Sequence, residues 1–310
     1  MTPNSTPIET VYMFPGLGAE YPAMLETFCA HYPWAGALVE EWGNLVGCDL
    51  TAEDPVSPRQ RENLRQLRIH ALNLLWWRVA RPAASGQFAC CGHSLGFYAA
   101  LSAAGALTEH ASLRWVQAFF DAAWDEFADN PGKIAVITTT APVDPHRLAS
   151  QFSVEVMAKN SARQVVVYGA AADIAKLCLS LKSILVRNSD LGTPIPFHSI
   201  NMWRVCDRMA KTAASPDFAL AEPTQPVWSH LTGEPLATAA EIRATLLEQP
   251  CRTVLWEKLM HNLWNAQPTE FVEVGPSRIL SQLLRWNEPA APVRPVDTLR
   301  RAAPAAEVAS

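Results

Sequence analysis

Residues 92–96 of the chain, GHSLG, have the composition and spacing of a catalytic serine motif. The G-x-S-x-G pattern is typical of a serine on a sharp turn between a strand and a helix, where its hydroxyl is exposed. The helix after such a turn directs free N–H groups at the reacting centre, and the N–H of Leu95 would donate to an oxyanion there. The pattern also occurs by chance, so its context matters. An apolar segment, QFACC (87–91), precedes it and a helix-forming segment, LGFYAALSAAGAL (95–107), follows, which favours Ser94 as a nucleophile.

A serine nucleophile needs a base, and histidine serves most often. The eight histidines of the sequence are His31, His70, His93, His110, His146, His198, His230 and His261. His93 is adjacent to Ser94, and on a tight turn its ring should point away from the hydroxyl. His198 lies in a proline-bounded segment, PIPFHSINM (194–202). The residues alone do not choose between His198 and another loop histidine.

The order of predicted elements indicates an α/β protein with a parallel sheet. Strands and helices alternate up to residue 129, and the pattern changes at NPGK (130–133). The following segment predicts the order β-α-β-β-α-β, which is the split ferredoxin-like arrangement. We therefore predict a main domain of residues 1–129 and 196–310, interrupted by a small ferredoxin-like subdomain of residues 130–195. From Asn287 onward the chain is rich in proline and alanine, and we expect a partly disordered tail or a docking strap.

The overall composition excludes several classes of protein. Of the 310 residues, 49% are hydrophobic and 18% are charged, which is normal for a globular protein with a substantial core. The net charge is −5 and no run of lysine and arginine occurs, so nucleic acid is not an expected partner. No apolar run approaches the roughly 20 residues of a membrane span, and the N-terminus has no secretion signal. We expect a cytoplasmic monomer that has no membrane contact.

The seven cysteines are irregular in their spacing. They form no paired C-x-x-C and no Cys/His ligand pattern, so neither a bound metal nor a disulfide framework is expected. Chemistry at Ser94 requires no bound cofactor.

Several segments together resemble the malonyl-CoA:acyl carrier protein transacylase family, which includes the acyltransferase domains of polyketide synthases. The resemblance extends from about Val11 to Trp286. The segments that carry it are MFPGLGAEY (13–21), GHSLG (92–96), YAALSAAGALT (98–108), NSARQVVVYGA (160–170), PFHSINM (196–202), WSHLTGEPL (228–236) and FVEVGPSRIL (271–280). The resemblance implies an α/β-hydrolase-like main domain, and it implies acyl transfer in polyketide or related specialised metabolism.

The resemblance also implies roles for particular residues. Ser94 would be the nucleophile and His198 the base, held by a backbone carbonyl near Arg252 instead of a carboxylate. The N–H groups of Leu17 and Leu95 would form the oxyanion hole. The reaction would be ping-pong: Ser94 takes an acyl group from CoA or an acyl carrier protein, and a second thiol, usually the phosphopantetheine of an acyl carrier protein, removes it.

Four positions depart from the family pattern, all of them expected near the acyl pocket. Leu17 replaces a Gln, Phe97 replaces a Glu, and Ile69 stands at the position of a Gln on an early helix. The family's arginine, which grips the free carboxylate of malonyl groups, falls on Phe119 or Phe120. The expected acyl pocket therefore comprises His93, Phe97, Phe119, Phe120, Ile69 and Phe197.

This apolar pocket predicts an uncharged acyl group, because a buried carboxylate without a paired cation would cost several kcal/mol. The alternative is a malonyl transferase in which the arginine is only shifted along the helix, with Arg114 about one turn too early. A second alternative is a hydrolase that clears stalled acyl groups from carrier proteins. A dry, aromatic pocket favours transfer over hydrolysis. A docking module without catalysis is the remaining alternative.

Overall fold

Two β-sheets organise the part of the chain that the computed structural model describes, which comprises residues 7–21, 23–52, 57–81 and 86–297. The strands are β1 (Thr10–Phe14), β2 (Phe88–Gly92), β3 (Lys133–Thr139), β4 (Glu155–Ser161), β5 (Gln164–Gly169), β6 (Leu185–Asp190), β7 (Val227–Trp228), β8 (Pro235–Leu236), β9 (Glu270–Glu273) and β10 (Val293–Pro295). The helices are α1 (Met24–His31), α2 (Ala35–Val46), α3 (Pro58–Ala80), α4 (Gly96–Ala103), α5 (Glu109–Phe127), α6 (Pro145–Phe152), α7 (Ala171–Ser180), α8 (Trp203–Thr212), α9 (Ala239–Glu248), α10 (Trp256–Asn265) and α11 (Ile279–Asn287).

The main sheet has the strand order β10-β9-β1-β2-β7-β8, and its neighbouring strands pair in parallel apart from β7 and β8. The central strands β1 and β2 are buried along nearly their whole length. Continuous burial is expected of parallel strands that helices cover on both faces. The carboxyl ends of β1 and β2 meet at one edge, where the His93 N–H donates to the Phe14 carbonyl over 2.9 Å. This edge positions the candidate site.

Helices α3, α4 and α5 pack together beside the main sheet. α3 begins after Ser57 with Pro58 in its first turn, where a proline is tolerated because that N–H has no helical partner. α5 begins after Thr108, whose side-chain oxygen accepts a hydrogen bond from the Ala111 N–H. These helices form the wall of the site on the side of the main sheet.

The small sheet has the order β4-β5-β3-β6 and is antiparallel throughout. With α6 and α7 it makes the β-α-β-β-α-β unit of a ferredoxin-like subdomain, with its own apolar core that includes Ile137, Leu148 and Leu177. Its strand β4 lies against the main part of the chain. There the Lys159 N–H donates to the Val254 carbonyl over 2.8 Å, and the Val254 N–H donates to the Met157 carbonyl over 2.9 Å.

The predicted fold class, a parallel-sheet α/β-hydrolase-like main domain with an inserted ferredoxin-like subdomain, is confirmed. The small sheet falls within the segment 130–195 that we propose as the inserted unit. Within the tail, residues 293–295 form β10 at the edge of the main sheet and pair with β9, a strand that the sequence did not predict. Residues 298–310 of that tail lie outside the described residues. No helix in the described ranges is both long and apolar enough to cross a membrane.

Candidate active site

Ser94 lies on a strained turn between β2 and α4. Its φ is 52°, a left-handed conformation that non-glycine residues rarely adopt and that is found at nucleophile turns. The flanking glycines make the turn possible because they let neighbouring backbone segments approach closely. A Cβ at Gly92 would overlap the backbone of Gly96, and a Cβ at Gly96 would overlap the Phe14 carbonyl. The G-x-S-x-G spacing is therefore required by packing, and it presents the Ser94 side chain at the end of the sheet.

Of the eight histidines, His198 is the one whose ring meets the Ser94 hydroxyl. Its Nε2 lies 2.7 Å from Ser94 Oγ. Its Nδ1 lies 3.0 Å from two backbone carbonyls, those of Gln249 and Arg252. Because carbonyls only accept, Nδ1 carries the proton and the lone pair of Nε2 faces the serine. This geometry is the arrangement of a general base beside a nucleophile.

The environment of His198 keeps its imidazole neutral. Burial is the largest cause, and with the nearby His93 it lowers the pKa of His198 from 6.5 to about 4. The two carbonyls act in the opposite direction, because they stabilise the protonated ring. At neutral pH the ring is free to accept a proton, and the carbonyls stabilise the imidazolium once it forms.

The other histidines have different surroundings. The His93 ring points away from Ser94, as expected, and its Nε2 lies 2.8 Å from Asn160 Oδ1. His70 is buried in the core, with Nε2 2.9 Å from Ser112 Oγ. The exposed histidines are His31, His110, His146 and His261.

Two cavities meet at Ser94 and His198. The inner pocket, with a volume of about 10 Å³, is lined by Leu17, Gln66, Ser94, Leu95, Tyr98, Phe119, Phe197, His198, Gln249 and Pro250. The outer cavity has a volume of about 390 Å³ and lies between the main sheet, the small sheet and α11. It extends to the exposed side chains of Val186, Ile279 and Trp286. The inner pocket holds about one water molecule, whereas the outer cavity has the size of a small-molecule site.

Three of the six predicted pocket residues line a cavity. Phe119 lines the inner pocket, His93 lines the outer cavity, and Phe197 lines both. Leu17 and Leu95, the predicted oxyanion-hole residues, also line the inner pocket beside Ser94. Their backbone N–H groups remain our proposal for the oxyanion hole.

The structure does not place Ile69, Phe97 and Phe120 at either cavity, because all three are fully buried in the core. The Phe97 ring packs on the ring of His230, with centroids 4.9 Å apart. On α3, the pocket residue is Gln66, three positions before Ile69. A buried helix is apolar over much of its surface, so residue type did not reveal which side faces the serine.

Within the described part of the chain, few charged side chains line the two cavities. Among the described residues that line the inner pocket, none is a lysine or arginine. Arg114 points outward, and its guanidinium pairs with Asp217 over 3.2 Å at the surface. Among the described residues that line the outer cavity, Arg187 is the only lysine or arginine, and it is exposed on β6.

A chain of polar side chains connects His93 to the small sheet. Asn160 Nδ2 donates to Gln164 Oε1 over 2.9 Å, and Gln164 Nε2 donates to Thr138 Oγ1 over 3.0 Å. All four side chains line the outer cavity. These hydrogen bonds therefore hold the small sheet against the serine turn. The described residues contain no group of three or more His, Cys, Asp or Glu that could hold a metal ion.

Comparisons with known proteins give one consistent result. The family described as acyl transferase domain matches residues 82–303. A malonyl CoA-acyl carrier protein transacylase of Bacillus subtilis is 24% identical over 88% of this chain and 70% of the relative, and that of Salmonella typhimurium is 26% identical over 90% and 96%. The polyketide biosynthesis protein ThaF of Burkholderia thailandensis is 27% identical over 88% of this chain, but that match covers 24% of ThaF.

Solved structures show the same fold. A malonyl-transacylase in complex with its type II polyketide synthase acyl-carrier protein has a TM-score of 0.83 and 22% identity, covering 93% of this chain and 95% of that one. The malonyl CoA-acyl carrier protein transacylase of Coxiella burnetii has a TM-score of 0.83 and 21% identity, covering 95% of both chains.

Proposed function

The chain belongs to the acyl transferase domain family, and from this premise we propose that it transfers an uncharged acyl group from a thioester to an acyl carrier protein through an ester on Ser94. The donor is an acyl-CoA or an acylated carrier protein, and the acceptor is the phosphopantetheine thiol of a carrier protein. Two relatives that match most of this chain are malonyl CoA-acyl carrier protein transacylases. We assign this chain the same type of reaction, acyl transfer to a carrier protein, but with an uncharged acyl group in place of malonyl.

The contacts of His198 support a two-step mechanism. Nε2 takes the Ser94 proton while Oγ attacks the thioester carbonyl, and the oxyanion receives hydrogen bonds from the N–H groups of Leu17 and Leu95. Collapse of the tetrahedral intermediate expels the thiol, which takes the proton from the imidazolium. In the second step, His198 removes the proton of the acceptor thiol, whose sulfur attacks the ester. Ser94 Oγ then leaves and takes that proton back from the imidazolium.

The two cavities suit the two arms of a thioester. The pantetheine arm is long and must reach the surface, and the outer cavity of about 390 Å³ extends to exposed residues. The acyl arm then occupies the inner pocket, whose volume of about 10 Å³ suits a methyl group. Acetyl therefore fits without rearrangement, and longer chains need Phe119 or Phe197 to move.

The observation that carries the proposal is that the described residues lining the inner pocket include no lysine or arginine. A desolvated carboxylate without a partner costs several kcal/mol. Arg114, the arginine of α5, is committed to Asp217 at the surface. A malonyl group could meet Arg187 only by placing its carboxylate in the outer cavity, which the pantetheine arm needs.

Hydrolysis is the second candidate, and one observation favours it. The outer cavity reaches the surface, so water can enter it and attack the Ser94 ester when no carrier protein is bound. The balance between transfer and hydrolysis then depends on whether the acceptor thiol arrives before water.

Intact-protein mass spectrometry tests the proposal. The protein is incubated with acetyl-, butyryl-, octanoyl- and malonyl-CoA, and the mass of the acyl-enzyme is followed before and after addition of a phosphopantetheinylated carrier protein. We expect an acetyl adduct that Ser94→Ala lacks and that moves to the carrier protein. Release as free acid at the same rate with and without carrier protein would identify a hydrolase. Efficient malonyl labelling that Arg187→Ala abolishes would contradict the uncharged substrate.

A further inference from the structure

Cys206 and Cys251 lie in sulfur contact at the base of the His198 site. Cys206 is on α8, and Cys251 is the last residue of a 3₁₀ turn, Gln249–Cys251. The two Sγ atoms are 2.7 Å apart, and both cysteines are free thiols that are half-buried. We propose that Cys206 and Cys251 are an oxidant-sensitive pair that closes to a disulfide and thereby alters the segment that holds His198.

The position of the pair makes the bond easy to form. A disulfide joins its sulfurs at about 2.05 Å, so a small movement of the two side chains suffices. Because neither cysteine is fully buried, a small oxidant such as hydrogen peroxide reaches them from solvent. Cys90 and Cys91, in contrast, are fully buried in β2.

The chemistry of the thiols supports Cys251 as the attacking group. The contact with Cys206 lowers the pKa of Cys251, whereas the same contact and burial raise the pKa of Cys206. Burial raises the pKa of the partly exposed Cys29 and Cys178. Since the thiolate is the nucleophile, peroxide reacts first at Cys251.

The reaction balances in two steps. The Cys251 thiolate attacks one peroxide oxygen, the O–O bond breaks, and a sulfenic acid forms while hydroxide leaves and is protonated to water. The Cys206 sulfur then attacks the Cys251 sulfur, the S–O bond breaks, and hydroxide leaves with the Cys206 proton as a second water. Two thiols and one hydrogen peroxide give one disulfide and two waters. The cysteines lose two electrons, and the peroxide gains them.

The connection to His198 follows from the backbone. Cys251 lies between Gln249 and Arg252, whose carbonyls accept from His198 Nδ1 at 3.0 Å each. On the other side of the new bond, α8 is anchored by the buried Val205 and Met209. Drawing Cys251 towards α8 moves the Gln249 and Arg252 carbonyls relative to His198 Nδ1 and weakens their hydrogen bonds. Weakening about one hydrogen bond corresponds to a loss of roughly fivefold in rate.

Peptide mapping tests the bond itself, independently of the proposed function. The reduced, full-length protein is treated with hydrogen peroxide, alkylated with iodoacetamide and digested with trypsin without reductant. Cys206 falls in the peptide VCDR (205–208) and Cys251 in ATLLEQPCR (244–252). We expect these two peptides to be linked, and dithiothreitol to separate them.

Two variants serve as controls. Cys178→Ser should give the same linked peptides, and Cys206→Ser should give none. Recovery of both peptides unlinked, at a peroxide dose that already modifies Cys178, would overturn the proposal.

The rate of Ser94 acylation tests the coupling to His198, and this part rests on the proposed function. The cross-linked protein should react about fivefold more slowly than the reduced protein, with full recovery in dithiothreitol and no peroxide effect on Cys206→Ser. An unchanged rate in fully cross-linked protein would refute the coupling. Absence of any acylation in the reduced protein would instead contradict the proposed function.

Discussion

Replacing Phe119 by alanine tests which of the two cavities binds the acyl group. Phe119 lines the inner pocket, and its ring packs against Phe197 with centroids 6.1 Å apart. The substitution removes the whole ring and opens room for about three further methylene groups. If the acyl arm lies in the inner pocket, the variant should accept longer chains. If it lies in the outer cavity, chain-length preference should not change.

The magnitude follows from the burial of apolar surface. Each buried methylene contributes about 0.8 kcal/mol, so three contribute about 2.4 kcal/mol. Since about 1.36 kcal/mol corresponds to a factor of ten, the ratio of hexanoyl to acetyl labelling should rise by up to about 60-fold. The loss of a buried ring costs about 3–5 kcal/mol of folding stability, so a control with the same cost is needed.

Phe120→Ala is that control. Phe120 is adjacent on α5 and fully buried, but it lines neither cavity. The assay compares kcat/KM for labelling of Ser94 by acetyl- and hexanoyl-CoA in the wild type and both variants. We expect the ratio to rise in Phe119→Ala alone. An equal rise in both variants, or none in Phe119→Ala, would refute the assignment of the acyl group to the inner pocket.

Four further predictions concern the serine site and the fold around it. The pKa of His198 is lowered to about 4, and the protonated ring cannot accept the serine proton. The rate of Ser94 labelling should therefore stay constant from pH 7 to about pH 5 and fall to half near pH 4. A pH–rate profile with its midpoint at the ordinary histidine value near 6.5 would contradict this. Burial also lowers the pKa of His70, to about 3, so between pH 4 and 6.5 the unfolded chain binds more protons at His198 and His70 than the folded chain does. The free energy of unfolding should therefore decrease as the pH falls from about 6.5 towards 4, which denaturant titrations at several pH values would measure. Glu273 is fully buried and accepts hydrogen bonds from two serine hydroxyls and two backbone N–H groups at the start of α11. Glu273→Gln should therefore lower the free energy of unfolding by about 2–4 kcal/mol in the same titrations, and a decrease below about 1 kcal/mol would contradict this. Gly96→Ala forces a Cβ against the Phe14 carbonyl and should cost about 1–3 kcal/mol of stability together with most of the labelling rate, whereas wild-type labelling would contradict the packing argument.

The elements around the serine could be predicted from the sequence because their signals are local. The apolar strand, the glycine-flanked turn and the following helix are contiguous, and the structure places Ser94 on that turn at φ 52°. The β-α-β-β-α-β order was likewise readable from periodicity, and the small sheet has it. The short edge strand β10 was missed because three residues in a proline-rich segment carry no periodic signal.

The lining of the pocket could not be predicted to the residue. On α3 the family resemblance placed Ile69 at the pocket, but Gln66 lines it, and on α5 the resemblance did not separate Phe119 from Phe120. Neighbouring positions on a buried helix differ by about 100° in direction, and only packing against other elements fixes the rotation. His198 was chosen through family resemblance, because its approach to Ser94 depends on a loop 104 positions away in sequence.

A direct competition between two donors tests the central claim that the inner pocket offers no cation to a carboxylate. Equal concentrations of acetyl-CoA and malonyl-CoA are mixed with the protein, and the Ser94 peptide is analysed by mass spectrometry before turnover is complete. A penalty of several kcal/mol for an unpaired carboxylate predicts an acetyl ester in at least about 100-fold excess. A malonyl ester in equal or greater amount would contradict the account.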